Sequence, residues 1–116
     1  MLTMNEDLEG ALQTYLQLLD AEAYFDAHEV MEEAWHPLRL RKDPLANLAK
    51  GLINGAIAFE HLKRDREGAS VRARRVIASF ERHKELCVEG ITYYTLFAQA
   101  CARIEQLKSE HTEVFA

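Results

Sequence analysis

The sequence predicts an all-α fold, a five-helix bundle forming a single domain. Three observations carry this prediction. Apolar residues recur every three or four positions along most of the chain, which is the spacing of one helix face. No stretch sustains the every-second-residue alternation of a strand. Helix-starting residues divide the chain into segments of helix length, most plainly at Asp43-Pro44. There an N-cap is followed by a proline whose missing N–H costs nothing at the first helical position.

The first helix is expected from about Met4 to Leu19. Thr3 and Glu6 have the spacing of a capping box, in which two side chains reciprocally satisfy two orphan amides. Leu8, Leu12, Tyr15 and Leu19 form its apolar stripe, and Gly10 lies opposite. The short connection Asp20-Ala21-Glu22 leads to an antiparallel neighbour. The second helix starts at Tyr24 and is expected to close at Pro37, because the residue before a proline is pushed out of the α region. The basic segment Leu38–Lys42 is then irregular.

The third helix is expected to run to about Lys63. Leu45, Leu48, Leu52, Ile53, Ala56, Ile57 and Phe59 cover more than half of its circumference, which makes it the central helix. Gly51 and Gly55 lie one turn apart. Glycine inside a helix costs about 1 kcal/mol against alanine, so something must approach closely there. The fourth helix is expected over roughly Glu67 to Glu85, with Asp65 as its cap and Ala69, Ala73, Val76, Ile77 and Phe80 inward. After a turn at Gly90, Thr92 is the expected cap of a fifth helix with Leu96, Phe97, Ala100, Cys101, Ile104 and Leu107 inward. The core of the domain, which spans residues 1–116, is placed at about 4–108. The tail 109–116 is expected to fray.

Composition narrows the function classes. A chain of 116 residues, 48% hydrophobic and 28% charged, suits one ordinary globular domain rather than a disordered one. No run approaches the roughly 20 apolar residues of a membrane span. The first residues lack the basic and apolar regions of a secretory signal, so a cytoplasmic location is expected. Cys87 and Cys101 have no CxxC spacing and are expected as reduced, partly buried thiols. No Gly-rich phosphate loop, Ser-His-Asp set or activated-cysteine motif is present. Charge is unevenly spread. Residues 1–35 hold nine acidic side chains and no Lys or Arg, whereas residues 36–84 hold twelve basic and five acidic ones. Such asymmetry implies an intramolecular match, a homo-oligomer joined head to tail, or a basic surface for an anionic partner.

The densest chemistry lies in Tyr24–Pro37. At about 100° per residue, Tyr24, Ala27, His28, Met31 and Trp35 share one face, with His28 near its middle. Glu32 follows one turn later at the edge, where it can share the histidine's environment. On the third helix the narrow polar stripe is Asn47, Lys50, Asn54 and His61. The run Tyr-Phe-Asp-Ala-His-Glu-Val-Met-Glu-Glu-Ala-Trp, with Lys50-Gly51-Leu52-Ile53-Asn54 and His61-Leu62 after it, resembles the signature of the domain of unknown function 309 family. The likeness runs from about Leu8 to Leu107, with Asn54 standing where the family more often has Gln. It implies an all-helical bundle and candidate positions, but no activity.

These residues define a candidate binding groove between helices 2 and 3, edged by His28, Glu32, Trp35, Lys50, Asn54 and His61 and floored by Gly51, Gly55 and Ala58. A non-catalytic binding or scaffold domain, taking a protein segment or a small ligand, is the leading reading. Under it no cofactor is needed, and His28 is paired with Glu32 or a carboxamide. The alternative is a small metal-dependent hydrolase. Its divalent ion, such as Zn²⁺, would be held by His28, Glu32 and His61 with a water in the fourth place. The motif is His-Glu-x-x-Glu, however, not the zinc-protease His-Glu-x-x-His, and Glu29 points away from His28. A third reading uses the basic set Arg39, Arg41, Lys42, Lys63, Arg64, Arg66, Arg72, Arg74 and Arg75 to contact nucleic-acid phosphates. That set lacks interleaved aromatics for base stacking, so a solvated face is expected instead.

Overall fold

Apolar stripes at helical spacing fold into helices that bury them. The computed structural model describes residues 7–115. They form α1 (Leu8–Asp20), α2 (Tyr24–Leu40), α3 (Ala46–Arg64), α4 (Ala69–His83), a 3-10 turn over Lys84–Leu86, α5 (Tyr94–Ser109) and a short α6 (Thr112–Phe115). No strand occurs among the described residues. The first five helices are the predicted ones, and α6 is an addition. α3 packs against α2, α4 and α5 and buries nine residues from Leu48 to Phe59, so it is the central helix.

Several boundaries differ from expectation. The predicted capping box at Thr3 and Glu6 lies outside the described residues. Within them, Asp7 caps α1 by accepting the Gly10 amide at 2.8 Å. A Cβ on Gly10 would collide with the capping carboxylate, which explains the glycine. Pro37 does not close α2. The Arg41 amide donates to the Pro37 carbonyl at 3.2 Å, and Leu38, 1% exposed, is buried one residue beyond the proline. An interior proline costs about 3 kcal/mol, and burying a leucine returns about 1.5–3 kcal/mol of that. Asp43 does cap the chain into α3: its Oδ1 accepts the Leu45 amide at 2.9 Å. Asp65 is not the cap of α4. It ends α3 in the left-handed conformation, φ 53°, and Gly68, φ 81°, precedes α4. Thr92 is not the cap of α5 either; Tyr93 holds that position with φ 57°.

The tail does not fray within the described residues. Val114 is buried. His111 and Phe115 each bring their rings to 5.6 Å from that of Phe59, and His111 Nδ1 donates to the Leu107 carbonyl at 2.9 Å. The short segment escaped the sequence reading because two aromatic contacts, not a helix-length apolar stripe, hold it.

The glycines of α3 face away from α2. A Cβ on Gly51 would sit 3.2 Å from Phe80 Cα in α4, and one on Gly55 would sit 3.1 Å from Ile104 Cδ1 in α5. They therefore permit the α3–α4 and α3–α5 crossings and do not floor a groove beside α2. A distant side-chain hydrogen bond into the core runs from Tyr15 Oη to the Leu52 carbonyl, 2.7 Å. Burial raises the Tyr15 phenol well above its usual range, so it remains a donor. Cys87 and Cys101 are free, and burial pushes the Cys101 thiol up to about 12.

Ion pairs join α4 to α5 through Lys84 and Lys108, which both contact Glu81 and Glu105. Burial alone would raise the two carboxylates, but hydrogen bonds from the lysines outweigh it and lower both. A carboxylate whose folded pKa is depressed contributes stability above its unfolded value and loses it as pH falls through the folded value. Below about pH 4.5 the melting temperature should therefore drop. A Glu81→Gln/Glu105→Gln variant should show a smaller drop in the same scan, and equal drops would remove the network from the acid response.

Candidate functional site

The sequence places two polar-edged stripes beside the buried faces of α2 and α3. The buried line of α2 is Tyr24, Ala27, Met31, Ala34 and Leu38. One residue further round, at the same three- and four-residue steps, come Phe25, His28, Glu32, Trp35 and Arg39. On α3 the matching edge is Lys50, Asn54, Ile57, His61 and Arg64. Residues three and four apart are surface neighbours on a helix, so each set is one continuous edge.

Contacts across the helices show that the two edges meet antiparallel. The Arg64 guanidinium lies 5.6 Å from the Phe25 ring centre at one end. The Lys50 ammonium lies 4.3 Å from the Trp35 ring centre at the other. Phe25 and Trp35 are ten residues apart on α2, so the seam is about 15 Å long. Arg39 also reaches Trp35, at 5.1 Å. The exposed Phe25 thus has one cation beside it and the partly buried Trp35 two; cations are attracted to the ring faces.

The Phe25 end is a depression of about 160 Å³, lined by Phe25, His28, Ile57, Glu60, His61 and Arg64. His28 and His61 therefore line one depression, although His28 does not lie in the middle of the buried stripe. It is half-buried and pairs with neither Glu32 nor a carboxamide. Its Nδ1 donates to the Phe25 carbonyl at 2.6 Å, since a carbonyl can only accept. In the neutral ring Nε2 then holds the lone pair. The Phe25 and His28 rings meet edge to face, centres 4.8 Å apart. Phe25 is 45% exposed, unusually open for a phenylalanine and left uncovered by the other described residues.

Glu32 and Asn54 are half-buried on the two edges, but neither lines this depression. The triad His28, Glu32 and His61 is not assembled as a ligand set. Among the described residues, no three His, Cys, Asp or Glu side chains are placed to hold a metal ion. The reason is position along the helix axis. His28 reaches toward Ile57 and His61, whereas Glu32 lies one turn nearer the Trp35 end.

The sequence did not place Phe25, Ile57 or Glu60 on the groove, and it gave Arg39 and Arg64 to a basic surface instead. The signal was present: extending the stripe of His28 and Trp35 by three and four residues finds Phe25 and Arg39. Charge also behaves differently from the simplest expectation. Among the described residues, no ion pair joins the acidic segment 7–35 to the basic segment 36–84. Asp20 pairs instead with Arg103 of α5, and Arg64 pairs with Glu60, four residues away, at 2.5 Å.

A small helical bundle carrying one aromatic and basic seam between its second and third helices is the class that this geometry defines. The family model described as Domain of unknown function (DUF309) matches residues 12–73, just over half of the chain and all of both edges of the seam. The chain belongs to that family. No curated protein and no solved structure gives a significant match. No helix among the described residues is long and apolar enough to cross a membrane.

Proposed function

We propose that the protein is a non-catalytic binding domain and that the α2–α3 seam docks an amphipathic segment of a protein partner. One observation carries the reading: two aromatic side chains about 15 Å apart, Phe25 with one cation beside it and Trp35 with two, stand on one continuous edge. That length suits about three turns of a helix laid in the groove, with anchors at three- and four-residue spacing. The cations select carboxylates beside the apolar anchors. A buried aromatic anchor at an interface is commonly worth more than about 2 kcal/mol, so the rings, not the rim charges, supply the affinity.

Selection of a displayed library of acidic amphipathic peptides tests this. Peptides enriched on the protein should bind a Phe25→Ala/Trp35→Ala variant at least about tenfold more weakly, given the size of such anchors. Phe25 is exposed and Trp35 packs on the core from outside, so that variant should keep its helical circular dichroism while melting at a somewhat lower temperature, and binding is compared below that transition. Equal binding by the folded variant would contradict the reading. Enrichment of the chain's own α1–α2 sequence, with dimer formation in solution, would identify the partner as a second copy.

A further inference from the structure

Beside the seam, sharing His61 and Arg64 with it but not resting on its role, the turn between α3 and α4 gathers an excess of positive charge. The left-handed residues Asp65 and Gly68 curl the chain so that His61, Arg64, Arg66, Glu67, Ala69 and Arg72 line one depression of about 360 Å³. Three guanidiniums face one carboxylate there. Arg64 is tied to Glu60, and Arg72 donates to the Glu67 carbonyl at 2.6 Å. Arg66 is exposed and has no ion-pair partner among the described residues. The wall of the depression includes the first residue of α4, whose N-terminus carries no side-chain cap and no acidic residue in its first turn. Among the described residues, none of the acidic N-terminal side chains forms an ion pair with this cluster. His61 registers the field: desolvation, then the charges of Arg72 and Arg64, lower its pKa, against a smaller opposing effect of Glu60.

We propose that this turn is an oxyanion site for the phosphate group of a small ligand, a mono- or diphosphate, held by Arg64, Arg66 and Arg72 at the start of α4. Guanidinium groups match phosphate oxygens with paired, charge-assisted hydrogen bonds. The arginines surround a single depression rather than tracking a line, and no Phe, Tyr or Trp lines it. Both features suit a compact anion better than a single strand, which needs stacking platforms. An anion among the guanidiniums also reverses their effect on His61. Binding therefore takes up a proton and strengthens as pH falls toward the ordinary histidine range.

Titration of the isotope-labelled chain with inorganic pyrophosphate, followed by NMR, tests the site. Saturable one-to-one shifts are expected at residues 61–72, with the His61 midpoint moving up. Arg66→Ala should weaken binding about tenfold, the size of one charge-assisted hydrogen bond. It should leave peptide binding at the seam as it is, which separates the two proposals. Arg72→Ala should weaken it too, but it also removes a contact to the loop, so the exposed Arg66 is the cleaner variant. Three outcomes would overturn the proposal. One is unsaturating shifts spread over Arg74, Arg75 and Arg82. Another is affinity indifferent to Arg66→Ala. The third is a single-stranded oligonucleotide binding far more tightly than pyrophosphate, with a salt slope beyond about three phosphates, which would give the turn to nucleic acid.

Discussion

Phe59→Ala is expected to lower the unfolding free energy by about 3–5 kcal/mol, the range for a large aromatic removed from a packed core. Phe59 is 1% exposed and lies at the meeting point of three elements. Its ring neighbours are Tyr24 of α2 at 6.0 Å, His111 before α6, and Phe115 within α6. The variant should therefore also detach the C-terminal segment. Amide exchange at Val114 and Phe115 should speed up more than global unfolding alone explains. A Phe115→Ala variant separates the two effects. It should release α6 with a loss well below that of Phe59→Ala, because Phe115 is only partly buried. Similar melting temperatures for wild type and Phe59→Ala would mean that α3 is not the hub described.

The second large effect is a contrast between two glycines. Each gains helix propensity of about 1 kcal/mol on mutation to alanine, so the sign depends on what the new methyl meets. At Gly51 it meets the backbone of α4, with Phe80 Cα at 3.2 Å and Ser79 O at 3.4 Å. A backbone can yield only if the whole helix shifts. Gly51→Ala should destabilise, and Gly51→Leu should cost more than the roughly 1–3 kcal/mol typical of overpacking. At Gly55 the methyl meets only a side chain, Ile104, with Cδ1 at 3.1 Å and Cγ1 at 3.3 Å, which has to give by a few tenths of an ångström, so Gly55→Ala should cost less than Gly51→Ala. Chemical denaturation of the two alanine variants checks this. Equal effects would show that the α3–α4 spacing is soft.

The helices were legible because each buries one stripe, and stripes at three- and four-residue spacing survive in a sequence. α3 was recognisable as central from its wide apolar coverage. The terminators were less legible. Pro37 obeys a local rule that a buried Leu38 overrides, and Asp65 is a plausible cap by residue type but is used in the left-handed conformation. The glycines were correctly read as close approaches, but a single helix does not say which neighbour approaches. The answer came from α4 and α5, both remote in sequence. The seam was half legible. His28, Trp35, Lys50 and His61 were on it, while Ile57 was read as part of the apolar cover of α3 and nothing in the sequence shows that α3 leaves Phe25 uncovered. The expected pairing of His28 with Glu32 gave way to a carbonyl three residues back, a bond that any histidine at that position of a first turn can make.

The account stands on the α2–α3 edge as the docking face, and mapping a selected peptide onto the labelled protein tests this most directly. Chemical-shift changes should concentrate on residues 25–39 and 50–64, strongest at the Trp35 indole and the Phe25 and Ile57 signals. Changes centred on α1, α5 or the outer face of α4, with the Trp35 indole unmoved, would contradict it.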